Sequence, residues 1–203
     1  MIAILRSATA ARFGEVSDVL VEAGIRAVEF TFTAPDVTDA IRAYAARKLA
    51  DVALGAGTVT TVEQARRAVE AGATYLISPA VCRPVIEEGV RLGVPVVPGA
   101  LSPTEILTAW RAGAEMVKVF PASTAGGPAY IKAIRGPLPD VPLVPTGGVD
   151  VANAPAYLAA GATAVGVGSP LVADACRPDA DLDALAVRAR NLVAAVSKGR
   201  PAS

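Results

Sequence analysis

The sequence predicts one α/β domain of eight parallel strands, each followed by a helix, closed into a (β/α)8 barrel. Three observations carry this prediction: an aliphatic, aromatic-poor composition, a glycine-marked phrase that repeats along the chain, and eight short apolar runs of strand length. Of 203 residues, 53% are hydrophobic and only 4% aromatic. The core must then be built from Ala, Val, Leu and Ile, the mixture that suits parallel strands covered by helices on both faces. The length fits a single domain at the short end of the barrel range.

The repeating phrase is an amphipathic segment that closes on glycine and leads into a β-branched run. Glu22-Ala23-Gly24 before Ile25-Arg26-Ala27-Val28-Glu29-Phe30 is one example, and the phrase recurs at Gly72, Gly93, Gly113 and Gly161. Glycine is expected just past a helix end, where φ is positive. The spacings of 48, 21, 20 and 48 positions reduce to a period of about 20 to 24, one helix plus one strand. Strands are predicted near 2–6, 25–31, 52–57, 74–78, 94–98, 115–120, 141–146 and 163–167. Eight βα units within this length imply closure. A last amphipathic helix is expected over 181–196, so the barrel should occupy 1–197 and a polar tail 198–203. With the first strand almost at Met1, a helix plugging the barrel bottom from the N-terminal side is expected to be missing or very short.

Nineteen basic and nineteen acidic residues cancel, which removes the field that would draw the chain to nucleic acid or to an anionic membrane. A small-molecule partner is expected instead. Cys82 and Cys176 have neither metal-ligand spacing nor a disulfide framework. No apolar run approaches the ~20 residues of a membrane span, and a cytoplasmic protein with no metal and no cofactor is expected.

In such a barrel the chemistry lies at the C-terminal ends of the strands. Two charged residues interrupt apolar strands there: Glu29 in Ala27-Val28-Glu29-Phe30-Thr31 and Lys118 in Glu115-Met116-Val117-Lys118-Val119-Phe120. Alternation turns both into the barrel. An ammonium stripped of water has a lowered pKa and a larger neutral fraction, as an amine needs in order to attack a ketone. Lys118 is therefore the candidate Schiff-base nucleophile. The chain contains no histidine, and Glu29 becomes the candidate general acid/base. The alternative for the pair is a buried salt bridge that only supports the core.

Two further clusters close the last strands: Thr146-Gly147-Gly148, and Gly166-Val167-Gly168-Ser169. Backbone N–H groups at Gly147, Gly148, Gly168 and Ser169, with the Ser169 hydroxyl, are candidate phosphate donors. Thr58 could bond a substrate carbonyl or carboxylate, although it could instead cap a helix, a task that Thr60 or Thr61 fits better. Arg6 would suit a carboxylate bidentately, or lie in a surface ion pair. Pro79 and Phe120 are candidate pocket walls.

These motifs, with Ile2-Ala3-Ile4-Leu5-Arg6, Gly55-Ala56-Gly57-Thr58-Val59, Ile77-Ser78-Pro79, Val117-Lys118-Val119-Phe120-Pro121 and Pro145-Thr146-Gly147-Gly148-Val149, fall in one order over essentially the whole chain. In that order they resemble the 2-keto-3-deoxy-6-phosphogluconate and 4-hydroxy-2-oxoglutarate aldolases, class I aldolases of the Entner–Doudoroff pathway. The resemblance implies a homotrimer that cleaves the phosphorylated keto acid to pyruvate and glyceraldehyde 3-phosphate. Lys118 would form the imine and Glu29 would be the acid/base. Arg6 and Thr58 would hold the pyruvate end; Gly147, Gly148 and Ser169 would hold phosphate. An arginine that many members carry after the stretch matching Glu29 to Thr31 is absent, with Phe32 in Thr31-Phe32-Thr33. That departure leaves the galactonate epimer and shorter hydroxy-oxo acids open as substrates. Two other classes stay open: an epimerase or isomerase of phosphate-binding barrels, in which Lys118 would only stabilise an enolate, and a sugar-phosphate binder without turnover.

Overall fold

A computed structural model of the chain describes residues 1–199. Eight strands form one parallel sheet: β1 Ile2–Leu5, β2 Ala27–Thr31, β3 Ala53–Gly57, β4 Tyr75–Ser78, β5 Val96–Ala100, β6 Val117–Val119, β7 Leu143–Pro145 and β8 Gly166–Val167. Helices α1 Phe13–Glu22, α2 Val37–Ala45, α3 Val62–Glu70, α4 Arg83–Leu92, α5 Pro103–Arg111, α6 Gly127–Arg135, α7 Ala154–Ala159 and α8 Ser169–Val172 follow the strands in turn, and α9 Leu182–Gly199 ends the described chain. The strand order β7-β6-β5-β4-β3-β2-β1-β8 is sequential. A bridge between Thr146 and Gly166 and a bond from Thr163 N to Leu143 O (2.9 Å) join β7 to β8 and complete the (β/α)8 barrel.

All eight predicted strands are present, with ends moved for local reasons. The fifth starts at 96 because Gly93 takes a left-handed φ of 71° and Val94 N still bonds Gly89 O, so 93 and 94 finish α4, while Pro95 has no N–H for a ladder. The sixth and eighth are shorter than predicted because only their upper parts pair on both sides. Glu115 N still bonds Val96 O, and Thr163 N bonds Leu143 O. The phrase glycines Gly24, Gly72, Gly113 and Gly161 also have positive φ, as a helix exit requires. The last helix runs to Gly199, so it includes Lys198 and Gly199; the rest of the expected tail, 200–203, lies outside the described residues.

Two hydrophobic layers follow from the strand alternation. Outward residues such as Ala3, Val28, Phe30, Leu76, Val117 and Val167 meet the helices in one continuous core. Inward residues Ile2, Ile4, Tyr75, Ile77, Val97 and Val144 fill the barrel, with Ala27, Ala53, Met116 and Ala164 against them. Phe30 packs edge-on to Phe13 with centroids 5.1 Å apart, a pair contributing about 0.5–1.5 kcal/mol beyond its buried area. Capping boxes fix two helix starts: Thr61 with Gln64 on α3, and Ser102 with Glu105 on α5. Each such cap is worth ~1 kcal/mol. Among the described residues no helix is long and apolar enough to cross a membrane.

Candidate active site

The C-terminal mouth of the barrel holds a cavity of about 240 Å³ bounded by the ends of β1, β6, β7 and β8. Arg6, Lys118, Phe120 and Thr146 line it, as do Gly147, Gly148, Gly168 and Ser169. Eight of the eleven residues predicted for the site thus surround one space. Glu29, Thr58 and Pro79 do not line it. Glu29 is wholly buried beside it in the barrel interior, Thr58 borders it through Arg6, and Pro79 lies at the β4 end with its carbonyl against Gly99.

Lys118 is in register with Gly99 on β5 and Val144 on β7, and its side chain is 5% exposed. Burial pushes its pKa down; the Glu29 carboxylate opposes that shift and the Arg6 guanidinium adds to it. Its Nζ lies 5.1 Å from the centre of the Phe120 ring, whose face favours the ammonium form. The neutral amine is thereby made accessible without being the sole form.

Glu29 is 0% exposed, and neither carboxyl oxygen has a hydrogen-bond partner. Burial raises its pKa, countered in part by Lys118 and then Arg6. No ion pair joins Glu29 to Lys118 among the described residues, so the supporting salt bridge weighed from sequence is not what the geometry shows. Leaving a buried carboxyl unpaired costs several kcal/mol if it is charged, so the group is biased toward its protonated form. The space for it comes from Gly57, where a Cβ would stand 1.7 Å from Glu29 Oε1.

Thr58 follows directly, with φ +58°. A β-branched residue in the left-handed region is strained by about 1–3 kcal/mol. Its Oγ1 accepts a hydrogen bond from Arg6 Nη2 at 3.3 Å, and Thr61, not Thr58, caps the next helix. Arg6 is exposed on the cavity rim, where it can meet an incoming anion.

On the opposite wall, Gly147 and Gly148 have φ of 89° and 75° and place their backbone against Phe120 and Ser123. Thr146 Oγ1 bonds Val144 O and occupies the room left by Gly166, where a Cβ would come within 2.4 Å of it. Ser169 lines the cavity and opens α8, a single turn with little helix dipole behind it. Sequence reasoning missed Ile4, Val149 and Pro170 as lining residues. Ile4 was accessible from its alternation with Ile2 and Arg6, whereas the other two depend on loop paths that carry no period.

This arrangement places an amine of lowered pKa and a rim cation around one cavity with a glycine-rich wall, and a carboxyl of raised pKa buried beside it. It can form an imine, move protons beside it and hold an anion at each end. A family model described as KDPG and KHG aldolase matches residues 1–187. The 2-dehydro-3-deoxy-phosphogluconate aldolase of Treponema pallidum is 44% identical over 140 residues, which span 69% of this chain and 66% of that protein's length. Among solved structures, a native KDPGal structure superposes with a TM-score of 0.90 at 33% identity, covering 98% of this chain and 94% of the other. A KDPG aldolase from Legionella pneumophila, with pyruvate captured at low pH as a covalent carbinolamine intermediate, superposes with a TM-score of 0.76 at 28% identity over 98% and 94%. With nearly the whole barrel matched, the chain belongs to the KDPG and KHG aldolase family.

Proposed function

We propose that the protein is a class I aldolase that cleaves 2-keto-3-deoxy-6-phosphogluconate to pyruvate and glyceraldehyde 3-phosphate, with Lys118 as nucleophile and Glu29 as the shuttling acid/base. The observation that carries this reading is the pair itself: a nearly buried amine at the cavity floor and a fully buried carboxyl that no protein group satisfies.

Neutral Lys118 Nζ adds to the C2 ketone, and the Glu29 carboxyl gives its proton as the carbinolamine oxygen leaves as water. The resulting carboxylate takes the proton of the C4 hydroxyl. The C3–C4 bond breaks, its electrons enter an enamine, and the aldehyde departs. Glu29 returns the proton to C3, and water hydrolyses the pyruvate iminium to restore the amine. Arg6, steadied by Thr58, would hold the substrate carboxylate, while Gly147, Gly148, Gly168 and Ser169 would hold the phosphate. Phe120 and Thr146 would shape the walls.

The galactonate epimer is the second substrate reading, supported by the 33% identity to the KDPGal structure and by the absence of an arginine in Thr31-Phe32-Thr33. The homotrimer implied by the family resemblance is proposed with it, and light scattering of the purified protein tests that assembly. Incubation with pyruvate and borohydride, followed by peptide mapping, tests the chemistry. A reduced adduct on Lys118 is expected; folded protein that carries no adduct points instead to the isomerase or epimerase class.

A further inference from the structure

One large interior residue has no part in the chemistry proposed above. Tyr75, on β4, points into the barrel in lateral register with Gly55 on β3, which is itself in register with Glu29 on β2. Its ring lies across β3: a Cβ on Gly55 would come within 2.1 Å of the ring carbons Cε2 and Cζ. The hydroxyl reaches β2 and donates to Val28 O at 2.8 Å, one residue to the N-terminal side of Glu29. Beyond the ring, the N-terminal mouth is an apolar chamber of about 400 Å³ that opens to solvent between Ile2, Ala53, Val97 and Met116, and Tyr75 is part of its wall.

We propose that Tyr75 is a positioning residue for the aldol reaction, its ring forming the partition that keeps water in the N-terminal chamber away from the Glu29 carboxyl group. The inference rests on the reading of Glu29 as acid/base. A carboxyl with no protein partner has its protonation set by how much water reaches it, and by nearby charges. The groups facing Glu29 are Lys118 from β6, Arg6 from β1 and Tyr75 from β4; β3 offers only Gly57, and Glu115 borders the far chamber. Of these, only Tyr75 also lines the lower chamber. An aliphatic residue at 75 could fill part of the volume, but it lacks the flat ring that spans β3 over Gly55; the hydroxyl bond to Val28 O steadies that ring without forming the partition itself. Gly55 serves the same end, since any side chain there displaces the ring.

The test compares wild type with Tyr75→Phe, Tyr75→Leu and Tyr75→Ala, each first shown to be folded by circular dichroism. Two readouts are used: the pH profile of kcat for aldol cleavage, and the ¹³C titration of the Glu29 carboxyl in glutamate-labelled protein. In Tyr75→Ala the carboxyl is expected to titrate about one unit or more lower, with the matching limb of the profile moving alongside. Tyr75→Leu should give a smaller shift in the same direction, and Tyr75→Phe, which keeps the partition, should stay near wild type. An unshifted carboxyl in Tyr75→Ala or Tyr75→Leu overturns the inference, as does failure of both to fold, which would make Tyr75 an ordinary core residue. The carboxyl titration needs no turnover. An absent borohydride adduct in wild type therefore defeats the aldolase reading, and an unshifted carboxyl defeats this one alone.

Discussion

Glu29 and Glu88 are both buried carboxylates, and the protein treats them in opposite ways. Glu88, on the outer face of α4, accepts hydrogen bonds from Arg66 and Arg91 at 2.6–2.9 Å, and these hold its pKa down to about 2. Glu29, inside the barrel, has charged neighbours but no hydrogen bond, and burial raises its pKa. A fully satisfied carboxylate is locked in one state and has only a structural use. A carboxyl denied partners sits where a proton can come and go, and the fold bears the cost of leaving it so.

The contrast can be broken most decisively at the amine. Lys118→Ala is expected to reduce aldol cleavage on the order of 10⁴-fold or more, since no other group in the cavity can form the imine; steady-state rates with the phosphorylated keto acid show it. Retained turnover would remove the reason for an unpaired Glu29. Next in size, Glu29→Gln should lower kcat by roughly 10²–10⁴, while Glu88→Gln should leave kcat unaltered. Equal kinetic effects from the two glutamates would erase the distinction drawn between them. Ser169→Ala should raise KM for phosphorylated substrates by about tenfold, the loss of one hydrogen bond to a charged group, and do less to unphosphorylated aldehydes. Comparable losses on both kinds of substrate would take Ser169 out of the phosphate site.

The smallest effect is on stability, and there the two glutamates should carry opposite pH signatures. Folding strengthens proton binding at Glu29, so its stabilising contribution is complete below about pH 4.5, the ordinary carboxyl value, and is lost as pH rises through the folded value. Folding weakens proton binding at Glu88, whose contribution is present above about pH 4.5 and is lost as pH falls toward about 2. In thermal melts across this range, Glu29→Gln should gain on wild type as pH rises, and Glu88→Gln should lose on it over pH 2 to 4.5. Parallel curves for both variants would mean that the two carboxyls titrate alike.

The barrel was legible because its signals are local. A glycine after five of the helices and an apolar run after each of those glycines lie within a few residues, and alternation alone sends Glu29 and Lys118 inward. The reason for Gly55 and Gly57 was not legible. It depends on the register of β2, β3 and β4, which sets a tyrosine ring over one glycine and a carboxyl over the other. Thr58 could be picked out as a polar residue at a strand end, but its left-handed backbone and its bond to Arg6, 52 residues away, arise only from closure. The two loops that carry the proposed phosphate donors show in the sequence only as separate glycine clusters. That they face one cavity with Lys118 is a tertiary fact.

The narrowest seam of the barrel lies between β7 and β8, where two short strands meet through one bridge and the Thr163 N to Leu143 O bond. Gly147 and Gly148 leave one side of that seam, and Gly168 and Ser169 leave the other. A phosphate held by both loops would act as a further rung, lacing the wall where the backbone supplies fewest bonds. Substrate and scaffold are then coupled: the Thr163 amide, bonded across the seam to Leu143 O and slow to exchange only while the seam stays shut, becomes a gauge of occupancy in hydrogen exchange.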